Sequence, residues 1–118
     1  MIQFYMVETD HDLAFLLSLN GFEFRLFTGY TVKIEARMVA ATRNRPQGVK
    51  YSLTLHDLAG RRIYGMDNAH GVRGRAEYDH RHLYGRRKMV AYQYRGPAEL
   101  LADFYREVER ILTERGMR

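Results

Sequence analysis

The chain contains no cysteine. That absence excludes disulfide frameworks, thiolate zinc sites, iron–sulfur clusters and cysteine nucleophiles, and it suits a reducing compartment. Long apolar runs are also missing. The longest, Leu13 to Leu17, has five residues, against the ~20 needed to span a bilayer. The first residues carry neither a basic n-region nor a long hydrophobic stretch, so no signal peptide is expected and the expected location is the cytoplasm, with no membrane attachment. No P-loop, Rossmann fingerprint, G-x-S-x-G or H-E-x-x-H occurs. NTPase, nicotinamide and serine-hydrolase readings therefore lack support. Repeats, low-complexity tracts and Pro/Ser-rich linkers are absent as well.

What remains is ordinary globular composition: 118 residues, 46% hydrophobic and 28% charged. Such a chain buries roughly 65% of its unfolded surface, enough for one core without staples, so residues 1–118 read as one domain. The formal net charge is +5, and its distribution is uneven. Residues 1–59 are neutral overall, residues 61–95 carry +6, and residues 96–118 carry −1. Sixteen of the nineteen cations are arginine, which forks onto phosphate and stacks on bases where lysine offers only a point charge. A concentrated arginine patch makes an acidic polymer or an acidic protein surface the natural partner. The plain alternative is a solvated basic face.

Periodicity gives the elements. From Tyr30 to Val39, Val32, Ile34, Ala36 and Met38 alternate with Thr31, Lys33, Glu35 and Arg37, the pattern of a half-buried strand. Thr42 to Gly48 reads as a loop. Lys50 to Asp57 alternates again, with Tyr51, Leu53 and Leu55 inward and Ser52, Thr54 and His56 outward. Ala59-Gly60 then turns the chain into a strand over about Arg61–Met66, and Lys88 to Arg95 forms another, with Val90, Tyr92 and Tyr94 on one side. Gly96-Pro97 opens a helix whose Leu100, Leu101, Phe104, Val108, Ile111 and Leu112 make an apolar stripe, closed at Arg115-Gly116. The start of the chain is less legible: a strand over Ile2–Val7, a helix over His11–Leu19 capped by Asp10, and a strand at Phe22, Phe24 and Leu26. The expected fold class is α+β, a small antiparallel meander of four to six strands packed by the C-terminal amphipathic helix, with a short N-terminal helix.

Between Asp67 and Arg87 the periodicity is lost, and three of the five histidines fall in this stretch. Irregular segments of that length in a small domain are commonly functional. Tyr64 to Gly71 and Tyr78 to His82 bring together two aspartates, an asparagine and three histidines. Imidazole suits proton transfer near neutral pH, and arginine stabilises charge on a phosphate. Metal-free RNA cleavage needs a base for the 2′-hydroxyl, an acid for the leaving oxygen and a cation on the phosphate; this segment carries all three residue types. A metal reading stands beside it, because His80 and His82 flank one residue and Asp67, His70 or Asp79 completes a donor set. A structural reading makes Asp79 and Asn68 loop-capping groups and leaves the histidines and arginines solvated. His56 reads as a surface residue and His11 as a first-turn helix residue. Tyr78 and Tyr84, within the basic loop, are placed to stack on unpaired bases.

The run Lys50-Tyr51 … Asp67-Asn68 … Asp79-His80-Arg81-His82 … Leu100-Leu101-Ala102-Asp103-Phe104 is similar in order and spacing to the DUF6516 family, which includes the TumE toxins of toxin–antitoxin pairs and is loosely RelE/ParE-like. The resemblance covers about residues 22–115 and leaves 1–21 as an extension; Tyr78 stands where the family has glycine. It implies a toxin component with a helix-turn-helix antitoxin as partner, RNA and translation as target, and a compact antiparallel sheet with packed helices.

The expected function is accordingly a toxin that acts as a metal-independent endoribonuclease, with no cofactor. His80 or His82 would serve as base or acid, Arg81 and Arg75 would hold the scissile phosphate, and Asp79 and Asp67 would orient the imidazoles or the loop. Arg73, Arg75, Arg86, Arg87, Lys88, Tyr78 and Tyr84 would bind the nucleic acid. The alternative is a non-enzymatic basic module that binds nucleic acid or protein and is neutralised by an acidic or helix-turn-helix partner. Either state, a homodimer or a toxin–antitoxin heterocomplex, fits the sequence.

Overall fold

The computed structural model describes residues 11–43, 48–68, 79–83 and 88–117. The chain forms a helix over 11–18 (α1), then β1 (Phe22–Arg25), β2 (Thr31–Met38), β3 (Val49–His56), β4 (Arg62–Asp67), β5 (Asp79–Leu83), β6 (Lys88–Tyr92) and a helix over Pro97–Glu114 (α2). The six strands form one sheet in sequence order, with every neighbouring pair antiparallel. This is the α+β meander expected from the alternation. The expected Ile2–Val7 strand and the Asp10 cap lie outside the described residues.

One face of the sheet carries the core. Val32, Ile34 and Ala36 of β2, Tyr51, Leu53 and Leu55 of β3, and Tyr64 and Met66 of β4 are buried with Leu16 of α1. α2 presents Leu100, Phe104, Val108, Ile111 and Leu112 to that layer, each burial worth roughly 1.5–3 kcal/mol before entropy is charged. The Tyr64 ring stacks on Phe104 with centroids 5.8 Å apart. Pro97 occupies the first helical position, after a Gly96 whose φ of 135° favours glycine; a Cβ there would lie 2.9 Å from the Glu99 carboxylate. No described helix is long and apolar enough to cross a membrane.

Three local expectations are corrected. The stretch from Asp67 to Arg87 is not irregular throughout: Asp79–Leu83 is a strand. Its alternation is invisible to a hydrophobic pattern because both of its faces carry polar side chains. Met38 is 57% exposed rather than inward, since β1 begins opposite Ile34 and no described strand pairs with the end of β2 on that side. His56 is only 9% exposed, because it sits on the central strand between the longer side chains of Lys33 and Arg62, which share its recess.

The β6–α2 junction is held by Asp103, which accepts hydrogen bonds from the Tyr92 hydroxyl at 2.6 Å, Arg95 at 2.7 Å and Arg106 at 2.8 Å. Burial pushes the Asp103 carboxyl up, but these three donors outweigh it and hold the group down at about 2. A depressed carboxyl stabilises the fold above its ordinary value of 3.8 and loses that contribution as pH falls through the folded value. Asp103→Asn should therefore cost about 1–2 kcal/mol at pH 7, after allowance for the exposed arginines. The gap between variant and wild type should close on acidification from about pH 4 to about pH 2. Denaturant titrations at several pH values check this.

Candidate active site on the helix-free face

From Tyr64 to Asp67 the side chains of β4 alternate between the two faces, as do those of β5; below Tyr64 a shift in the β3–β4 register brings Arg62 opposite His56. Met66 pairs with Arg81 on the helix side, while Gly65 pairs with His82 and Asp67 with His80 on the other. The register therefore sets one carboxylate opposite two imidazoles on the face that bears no described helix. His82 Nε2 lies 2.9 Å from Asp67 Oδ2 and His80 Nδ1 lies 3.6 Å from Asp67 Oδ1. The two rings are tilted at 58° with centroids 5.8 Å apart. His80 is buried at 3% exposure, whereas His82 and Asp67 remain partly open.

Two buried polar contacts fix this geometry from behind. Asn68, fully buried immediately after β4, accepts a hydrogen bond from the Tyr51 N–H at 2.9 Å and donates to the Val49 carbonyl at 2.6 Å. Asp79, the first residue of β5, accepts from the Tyr51 hydroxyl at 2.5 Å. Burial first, and the adjacent Asp79 carboxylate second, push the Tyr51 phenol far above its ordinary range, so it stays a proton donor. Tyr94 stacks on Tyr51 with centroids 5.7 Å apart. One tyrosine of β3 thus anchors both the end of β4 and the start of β5.

Of the five residues expected to be catalytic, the structure brings together Asp67, His80 and His82. Asp79 and Arg81 stand on the opposite side of the same strand. Asp79 is engaged with Tyr51, and Arg81 lines a cleft with Glu107 and Arg110 of α2. Arg73, Arg75, Tyr78, Tyr84, Arg86 and Arg87, the side chain of Lys88, and His70 lie outside the described residues. Sequence reasoning missed the surroundings of the cluster. A cleft of about 490 Å³ runs from Asp67 past Ser52 and Arg62 to Lys50, Glu35 and Arg37. The signal available in the sequence is the set of outward, charged positions on the alternating strands, Lys33, Glu35 and Arg37.

The three clustered side chains offer ligand atoms that all lie within 4.8 Å of one another. A carboxylate with two imidazoles is a donor set that zinc or a similar divalent ion accepts. The same set without a metal gives an imidazole oriented by a carboxylate, the arrangement of a general base.

A family model described as Toxin TumE matches residues 17–112, a span that includes the whole sheet and the Asp67–His80–His82 cluster. No curated protein and no solved structure matches.

The anchoring role of Asn68 is testable. Asn68→Ala would leave the Tyr51 N–H and the Val49 carbonyl without their side-chain partner, at a cost of about 2–4 kcal/mol. Tyr51→Phe, which removes only the hydroxyl from Asp79, should cost about 1–3 kcal/mol. Urea midpoints of the purified variants check both, and unshifted midpoints would show that the contacts hold nothing.

Proposed function

Because the chain belongs to the TumE toxin family, and so is the toxin component of a toxin–antitoxin system with a cognate antitoxin as partner, we propose that it acts by cleaving RNA, and thereby stops translation, through His82 and Asp67. The observation that carries this reading is the 2.9 Å approach of His82 Nε2 to Asp67 Oδ2 at the end of a cleft that also holds Lys50 and Arg62. In this reaction His82 takes the proton of a ribose 2′-hydroxyl. The freed oxygen attacks the adjacent phosphorus, and the bond to the 5′-oxygen breaks. That oxygen takes a proton from water in the open cleft, leaving a 2′,3′-cyclic phosphate and a 5′-hydroxyl end. Asp67 orients the imidazole and stabilises its charged form; buried His80 positions Asp67 from the other oxygen. No metal takes part, the site of action is the cytoplasm where translation runs, and the antitoxin is of the helix-turn-helix kind.

The clustering of three donors within 4.8 Å favours one rival, cleavage assisted by a divalent ion at the same residues. Induction of wild type, His82→Ala and Asp67→Asn in bacteria, with growth and total RNA followed, tests the proposal. Wild type should arrest growth and fragment RNA, and His82→Ala should lose activity by a factor of about 10²–10⁴, the usual contribution of a general base. Toxicity retained by His82→Ala would overturn the assignment. Cleavage by purified protein should persist in EDTA; loss in EDTA with restoration by a divalent ion would hand the site to the rival.

A further inference from the structure

The helix-free face has a distinct relief. Along β3 its outward residues are short, Ser52 and Thr54, and opposite Thr54 on β4 stands Gly65, which has no side chain at all. Longer side chains rise on either side: Lys33, Glu35 and Arg37 from β2, and Arg62 from β4. Two clefts lie along this line, of about 490 Å³ and about 260 Å³. Both are lined by Glu35, Ser52 and Arg62, so they form one continuous trough. One end reaches Asp67, and the other reaches His56.

We propose that this trough is the track of the substrate, a single RNA strand whose phosphates are held by Lys33, Lys50 and Arg62 and which is thereby led to His82. The inference rests on the RNA-cleaving reading for its ligand class and adds the place and mode of binding. The rims belong to β2 and β4, two strand spacings or about 10 Å apart; one chain lies between them, and a duplex does not. The floor hydroxyl of Ser52 presents a donor to phosphate or ribose oxygens, while the Thr54 hydroxyl is engaged with His56 Nε2 at 3.0 Å. Cations outnumber acids along the walls, with Lys33, Arg37, Lys50 and Arg62 against Glu35 and Asp67. The field is felt at the far end. Burial is the main cause that lowers the His56 pKa; the Gly60 carbonyl opposes it, Lys33 and Arg62 lower it further, and Glu23 opposes them. Among the described residues no phenylalanine or tryptophan lines the trough, and its one tyrosine, Tyr51, has its ring in the core, so the contacts these residues offer run to the backbone.

The test uses the full chain and a fluorescent 2′-O-methyl oligoribonucleotide of about 12 nucleotides, which cannot be cleaved because its 2′-oxygen is blocked. Lys50→Ala and Arg62→Ala are each expected to weaken binding roughly tenfold and to lower the salt slope by about one. Arg110→Ala, on α2 and across the sheet from the trough, should change neither. Ser52→Trp, which fills the floor while leaving every charge in place, should also weaken binding and covers the case in which Arg62→Ala does not fold; thermal melts report on that. Wild-type affinity in Lys50→Ala and Ser52→Trp would overturn the trough, as would a wild-type chain that does not bind the strand. Loss of antitoxin binding without loss of RNA binding would assign the trough to the protein partner and overturn it too. A chain that binds through Lys50 and Arg62 yet cleaves nothing would leave the trough standing and remove the cleavage reading instead.

Discussion

The register of β5 is the constraint on which the candidate site depends. In a strand the side-chain period is two, so a slip of one residue exchanges its faces. At the observed register His80 and His82 meet Asp67 on the open face; one residue off, Asp79 and Arg81 would take that place and both imidazoles would turn under α2. Hydrophobic patterning cannot hold β5 in place, because Asp79-His80-Arg81-His82 offers it nothing apolar until Leu83. The burden falls on the buried Tyr51–Asp79 hydrogen bond and on the Asn68 carboxamide that fixes where β4 ends. Polar contacts specify geometry in this way only when their partners are satisfied, since an orphaned buried group costs more than the bond contributes.

This division also explains what could be read in the chain and what could not. β2, β3 and α2 were legible because each has one apolar face at the right period, and their observed bounds follow it closely. The Asp67–His80–His82 association was half legible: the H-x-H spacing puts two imidazoles on one side of an extended chain, and Asp67 was among the candidates. That Asp79 and Arg81 face the other way follows from the same spacing, but only once Asp79–Leu83 is known to be a strand. Its polarity concealed that. His56 was misplaced for a different reason. Alternation tells which face a residue is on, whereas burial depends on the length of its neighbours, and Lys33 and Arg62 are long.

Both described helices pack toward one core, and no described helix lies on the sheet's other face, an arrangement that antiparallel sheets tolerate and parallel ones do not. Here that face is not merely wetted. It carries short side chains in the middle, cations at the margins and the histidine cluster at one end, an arrangement produced by the four strands β2 to β5 and one glycine. The proposed function therefore draws on the half of the alternation that faces away from the core. Family membership identifies the chain as a toxin; the chemistry still has to be argued from these side chains, since one fold hosts many activities.

Siting the cluster on paired strands has a consequence for how variants are read. Functional groups on regular elements are held more precisely than those on loops, because backbone pairing fixes their Cα positions and packing fixes their rotamers. The same contacts then serve position and stability together. Tyr51 lies in the core, stacks on Tyr94 and bonds to Asp79, so its loss disturbs the fold and the site at once. His82 and Asp67 differ, being partly open on the face without a core, where exchanging a side chain removes chemistry and little packing. The separation of these two classes of residue follows from the sheet's two faces, and it is what allows the chemistry of the cluster to be tested apart from the integrity of the fold.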